Sequence, residues 1–185
     1  QRAFAASQIN SGSRVAMLLP NGVDAVCFDQ AAMANGLIPV PLHAIDTPAS
    51  SAYILQDSEA SFLITNRLEK WEQIQKAGFD LSKLKKVIIT QEDNLSTAAI
   101  AQSLKDWLSS VTGKEILPPA PTEHDLACIV YTSGTTGKPK GVMLSHKNIT
   151  SNVRSTLAHV RPEIGAKFLS FLPLSHMFER TAGYY

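Results

Sequence analysis

The sequence predicts an α/β fold: a largely parallel sheet flanked by helices, with one antiparallel hairpin. Two observations carry that expectation. Short apolar runs of strand length alternate along the 185 residues with apolar stripes at helical spacing. One Gly/Ser/Thr-rich loop, by contrast, is bracketed by two apolar runs near enough to pair with each other, Leu126–Tyr131 and Gly141–Leu144. The length suits one domain with a sizeable core.

In chain order, the run 14–19 reads as a strand closed by Pro20-Asn21-Gly22. Val23, Val26, Cys27, Ala31 and Ala34 mark a helical stripe that Asn35-Gly36 stops. Residues 37–42 are extended, but Pro39 and Pro41 lack ladder donors and weigh against a central strand. Thr47-Pro48 starts a helix ending near Ser58, with the hydroxyl as N-cap and the proline at the first helical position. A strand at 61–65 follows. Asn66 with Glu69 suggests a cap for a helix holding Leu68, Trp71 and Ile74, which Gly78 ends. Residues 87–90 form a strand, and Ile100, Leu104 and Leu108 at spacing four predict a helix. The prolines of 118–121 make a connector. After the hairpin, Ser145 caps a helix with the stripe Ile149, Val153, Leu157 and Val160. Residues 168–172 read as a strand stopped by Pro173, and Ser175 opens a last helix.

Composition narrows the function classes. A net charge of +1 supplies no basic field for nucleic acid, so no nucleic-acid partner is expected. No apolar run approaches the roughly 18 residues of a membrane-spanning helix, and the first residues carry no signal-peptide pattern. Cys27 and Cys128 both sit among apolar neighbours and are expected to be buried thiols, which fits a reducing, cytoplasmic setting. Neither Cys-x-x-Cys nor His-Glu-x-x-His occurs, so no protein metal site is predicted.

The chemistry concentrates at Tyr131-Thr132-Ser133-Gly134-Thr135-Thr136-Gly137-Lys138-Pro139-Lys140-Gly141. Glycines let backbone approach a ligand, successive N–H groups can cup an anion, and hydroxyls and lysines add donors and charge. That combination suits a polyphosphate. A plain surface turn has a similar composition. A Walker A loop is excluded by spacing, because Pro139 stands five places after Gly134 and Lys138 is followed by proline.

This stretch, continued by Val142, resembles the phosphate-binding signature of the adenylate-forming superfamily, which includes acyl-CoA synthetases and peptide-synthetase adenylation domains. The block Phe171-Leu172-Pro173-Leu174-Ser175-His176-Met177-Phe178-Glu179-Arg180-Thr181 resembles the next family motif, in the form associated with long-chain fatty acyl-CoA synthetases. The resemblance runs from about Arg14 onward. It implies that residues 1–185 are part of the large N-terminal AMP-binding domain, truncated at both ends. By the same resemblance, Thr132, Ser133, Gly134, Thr135, Thr136 and Gly137 wrap the β- and γ-phosphates of ATP, and Lys140 holds or screens them. Lys138 is as well explained as a solvated charge. His176 is implied to orient the acyl carboxylate. Glu179 and Arg180 read either as a subfamily marker or as local helix pairs. His43, His124, His146 and His159 show no partner pattern.

The implied activity is activation of a long-chain fatty acid to acyl-adenylate and then acyl-CoA, with ATP, Mg2+ and coenzyme A. The adenine-binding, acidic Mg2+-binding and ribose-binding motifs and a catalytic lysine lie beyond Tyr185 in the family, so these residues alone are expected to be inactive. Two other readings stand beside it: an adenylating enzyme for another acid, such as a peptide-synthetase domain or aryl-CoA ligase, and a non-catalytic nucleotide-binding module. Peripheral contact with the inner membrane face and a homodimer stay open.

Overall fold

The structure, a computed structural model, describes residues 1–91, 95, 100–133, 138–183 and 185. Five strands form a parallel sheet: β1 (Arg14–Leu18), β2 (Ile38–Pro41), β3 (Phe62–Thr65), β4 (Lys86–Ile89) and β5 (Ala101–Ser103), in the order β2-β1-β3-β4-β5. A separate antiparallel pair joins β6 (Leu126–Thr132) to β7 (Lys140–Ser145). The helices are α1 (Arg2–Ala6), α2 (Val23–Met33), α3 (Pro48–Asp57), α4 (Leu68–Gln75), α5 (Leu104–Ser109), α6 (His146–His159) and α7 (Met177–Gly183).

Both faces of the parallel sheet are covered, which is why its strands read as unbroken apolar runs. Alternation sorts the side chains. Val15, Met17, Phe62, Ile64 and Ile88 meet Phe4, Phe28, Ala32 and Trp107 from α1, α2 and α5. Ala16, Leu18, Leu63, Val87 and Ile89 meet Ala52, Ile54, Leu55, Trp71 and Ile74 from α3 and α4. Each fully buried aliphatic side chain here stabilises the fold by about 1.5–3 kcal/mol. A third cluster of Met33, Ala127, Cys128, Val130 and Ile149 ties the hairpin to α2 and α6. Ile129 faces the opposite way, into the α3–α4 core.

The prolines of β2 find the place the sheet allows them. Ile38 N–H donates to Ser13 O at 2.9 Å and Leu42 N–H to Met17 O at 2.9 Å. Successive backbone groups alternate in direction, so Pro39 and Pro41 turn their missing donors away from β1 at the sheet's edge. Thr47 caps α3 as expected, its Oγ1 accepting from Ser50 N–H at 3.2 Å. Ser145 caps α6 reciprocally with Asn148.

Five expectations need correction. The buried residues of α2 are Phe28, Asp29, Ala32 and Met33, whereas Val23 is exposed. The helix is apolar on more than one side, so periodicity alone picks the wrong stripe. Cys27 accordingly lies exposed, and only Cys128 is buried. Asn66 is not the cap of α4: Arg67 occupies that position without a side-chain cap bond, and Asn66 Nδ2 donates to Gln91 Oε1. The Ile100–Leu108 stripe is split. Ile100 O already accepts from Val87 N–H, β5 follows, and Ser103 caps α5 through Asp106 N–H. Finally, 168–172 is not a strand, and Phe168, Leu169 and Phe171 are exposed. A β-prone run needs a neighbouring strand to pair with, and none of the described strands pairs with it.

Candidate functional site

The hairpin sets the site. Thr132 pairs with Lys140 and Tyr131 with Gly141, so the strands close the loop between them at a fixed register. Four of the sequence-predicted phosphate contacts, Gly134, Thr135, Thr136 and Gly137, lie outside the described residues. Thr132, Ser133 and Lys140 are described, and all three are exposed.

Helix α3 holds both stems of this loop. The Tyr131 hydroxyl donates to Asp57 Oδ2 at 2.6 Å, and the Tyr53 hydroxyl donates to Pro139 O at 3.4 Å. Burial, and then the bond to Asp57, push the Tyr131 phenol well above its ordinary value, so it remains a donor. Lys138 Nζ lies 5.9 Å over the Tyr53 ring, which gives that lysine a partner beyond solvent. Gly141 is required by the same arrangement. A Cβ there would stand 2.8 Å from Ile129 Cγ2 and 3.1 Å from Tyr131 Cζ. Gly141→Ala is therefore expected to cost about 1–3 kcal/mol, the range for overpacking. Chemical denaturation checks it; an unchanged midpoint would mean that the Tyr131 ring does not lie across the backbone of β7.

A cleft of about 810 Å³ opens beside the hairpin. Thr132 and Ser133 line it from the loop, and Val130, Val142 and Leu144 from the strands. His43, Ser175, His176 and Phe178 also line it. The structure thus brings His176 to the same cleft as Thr132 and Ser133, the described start of the sequence-predicted phosphate loop. Lys140 is held opposite Thr132 but is not among the lining residues. The cleft wall is mostly apolar with a few hydroxyl, amide and imidazole groups, the composition of a small-molecule site.

Fold alone would point elsewhere. A doubly wound sheet ordered 2-1-3-4-5 places ligands in the crevice beyond β1 and β3. Here that crevice, between Asn21 and Asn66, measures about 180 Å³, and the candidate cleft lies instead between β2, the hairpin and the start of α7.

Glu179 and Arg180 do not make local pairs on a solvated face. Arg180 is buried and reaches Asp29 of α2 at 2.5 Å, with the Tyr185 hydroxyl also in its shell. Cys128 lies close enough to feel both charges, and burial pushes its thiol up to about 11, leaving it protonated and inert at neutral pH.

The family model for AMP-binding enzymes matches residues 2–185. The chain belongs to this family. It is 32% identical over 181 residues to fatty acyl-CoA synthetase A of Dictyostelium discoideum, covering 94% of this chain and 27% of that one. It is 31% identical over 179 residues to a sulfoacetate–CoA ligase of Cupriavidus necator, covering 95% of this chain and 33% of the relative. Among solved structures, the N-terminal domain of FACL13 from Mycobacterium tuberculosis superposes with a TM-score of 0.74 over 98% of this chain and 44% of that one, at 23% identity. ATP-bound MatB from Rhodopseudomonas palustris gives 0.71 at 25% identity, over 96% of this chain and 35% of that one. The chain thus spans about a third or less of the curated relatives just named.

In this member of the AMP-binding family, sequence reasoning missed four residues that brace the candidate site: Tyr53, Asp57, His43 and Asn21. The first two act only through the packing of α3 on the hairpin. His43 and Asn21 follow strand ends, where functional side chains collect in parallel sheets, and that position was the available signal. Among the described residues no group of three or more His, Cys, Asp or Glu side chains could hold a metal ion. Asp46 is the one carboxylate among the described residues lining the cleft. No helix of the described residues is long and apolar enough to cross a membrane.

Proposed function

We propose that this chain is the ATP-tail-binding part of a longer acid–thiol ligase that activates a long-chain fatty acid. In the first step a carboxylate oxygen forms a bond to the α-phosphorus of ATP, and the bond from that phosphorus to the bridging oxygen breaks. The products are acyl-adenylate and pyrophosphate. In the second, the sulfur of coenzyme A bonds to the acyl carbon, the thiol loses its proton, and AMP leaves. The single observation that carries the reading is the shared cleft: Thr132 and Ser133 from one family motif and His176 from the other line one apolar-walled space.

Each residue has a role within that chemistry. The hydroxyls of Thr132 and Ser133, with the loop from Gly134 to Gly137, bind the β- and γ-phosphates. Lys140 screens them from the far stem. His176 orients the carboxylate and leaves it ionised, since an attacking carboxylate has no proton to give up. Apolar side chains such as Val142 and Phe178 exclude water from the mixed anhydride. The Mg2+ that the family resemblance implies would offset phosphate charge, and none of the described residues is assigned as its ligand. The long-chain preference is supported by the fatty acyl-CoA relatives and by the Phe178-Glu179-Arg180 sequence. A shorter or aromatic acid is the second reading, favoured by the likeness to a sulfoacetate–CoA ligase and to an anthranilate CoA ligase structure.

Acid-dependent exchange of pyrophosphate into ATP by the full-length protein tests this. Long-chain fatty acids should give the highest kcat/KM on a panel that includes aryl and sulfonated acids. Preference for either of those overturns the substrate, and no exchange with any acid overturns the reaction. In the same assay Lys140→Ala should raise KM for ATP about ten-fold, as expected for loss of one charge-assisted contact. Unchanged ATP kinetics would remove Lys140 from the site.

A further inference from the structure

The segment that delivers His176 to the cleft is irregular, yet two side chains from the far end of the sequence fix it. Asn21 follows β1, and its amide pairs with backbone as another strand would. Asn21 Nδ2 donates to Leu172 O at 2.7 Å, and Leu174 N–H donates to Asn21 Oδ1 at 2.9 Å. His43 follows β2. Its Nδ1 lies 2.6 Å from the Ser175 hydroxyl, which donates to a neutral Nδ1 and accepts from a protonated one. The His43 ring also meets the His176 ring edge to face, with centroids 4.9 Å apart. Ser175 is buried, His43 half-buried and His176 exposed to the cleft.

An exposed imidazole on irregular backbone would ordinarily sample several rotamers and displacements. Here the backbone on its N-terminal side is pinned at Leu172 and Leu174, the preceding side chain is pinned at Ser175, and one flank of the ring is covered. The rest of the His176 side chain is exposed in the cleft. Orientation is what a carboxylate needs in order to attack in line, and a misplacement of about 1 Å can cost about a hundred-fold in rate.

We propose that Asn21 and His43 are positioning residues for the acid: they act through His176, holding it at the angle at which it meets the substrate carboxylate. The inference rests on the proposed role of His176, and it assigns the two residues no contact with ATP. Their effect is confined to the acid side of the cleft, and it vanishes once His176 is gone.

The experiment is a set of double-mutant cycles in the full-length enzyme, read by acid-dependent pyrophosphate exchange. Asn21→Asp keeps the acceptor for Leu174 N–H and loses the donor to Leu172 O. His43→Phe keeps the ring against His176 and loses the bond to Ser175; His43→Asn keeps a bonding partner and loses the ring. Each is made alone and together with His176→Ala. Alone, each is expected to lower kcat/KM for the acid by about ten-fold or more while KM for ATP stays within about two-fold. On the His176→Ala background each should add less than about two-fold. Equal losses on both backgrounds would overturn the inference while leaving His176 in its role. If His176→Ala by itself leaves acid kinetics unchanged, the reading of the site fails and this inference with it. Three substitutions of different shape guard against misfolding: a variant whose melting temperature falls is set aside for one that melts as the parent does. If all three melt early, the two residues are structural and the proposal is overturned.

Discussion

Replacing Asp29 with alanine is expected to cost about 3–5 kcal/mol of folding stability, the penalty for stranding a buried charge. The Arg180 side chain is 0% exposed and that of Asp29 2%. The guanidinium has left water entirely, and the Asp29 carboxylate is its charged partner at 2.5 Å. Removing the carboxylate takes the Asp29 charge away from the buried guanidinium, which then stays charged with less compensation or pulls α7 away from α2. Either outcome disturbs the cleft, because Arg180 N–H donates to His176 O one turn earlier. Urea denaturation followed by far-UV circular dichroism gives the number. The pair is not itself expected to be a large net source of stability. A double replacement, Asp29→Leu with Arg180→Met, should therefore recover most of the loss. A loss below about 1 kcal/mol for Asp29→Ala would mean that water reaches the guanidinium, and a double variant no better than the single would mean that packing, not charge, carries the contact.

This pair is not legible in the sequence. Asp29 and Arg180 are 151 residues apart, and nothing in the pattern around either points to the other. Arg180 with Glu179 at the start of a helix looks like surface charge, whereas both are buried. Locally encoded features were legible. Thr47-Pro48 starts α3, Ser145 caps α6, and the loop from Thr132 to Lys140 sits in the hairpin that its flanking apolar runs predict. The parallel sheet was legible for the same reason, since strands buried on both faces leave unbroken apolar runs.

What local pattern could not decide was which partner a segment finds. The run at 168–172 has strand composition, but its backbone is held by the Asn21 side chain instead of by a ladder. Asn66 and Glu69 have the spacing of a cap, but Asn66 is drawn to Gln91 across the ends of β3 and β4. The candidate site divides along the same line. Its loop and His176 were readable as motifs. His43, Ser175 and Asn21, which set the angle of His176, depend on contacts that form only when both ends of the chain are folded together.

Trp107 is the second position where a large effect is expected. The sequence pattern points to its neighbour Leu108, which completes a stripe with Ile100 and Leu104, yet Leu108 is half exposed and Trp107 is buried. Its ring packs edge-on to Phe4 at 5.0 Å and stacks on Phe28 at 5.8 Å, and its Nε1–H donates to Ser7 Oγ at 2.8 Å. One side chain thus joins α1, α2 and α5 over a single face of the sheet. Trp107→Ala should cost about 3–5 kcal/mol through lost burial and the cavity left behind. Trp107→Phe keeps most of the ring contact and should cost less than half as much, leaving the Ser7 hydroxyl without that donor. The disturbance should stay on this face: ATP and acid kinetics measured well below the melting temperature should match the parent, because the cleft is built on β2, the hairpin and α7. Equal losses for the alanine and phenylalanine variants would assign the contribution to the hydrogen bond. A change in KM for the acid would mean that α2 carries strain from this cluster through Asp29 to the His176 segment.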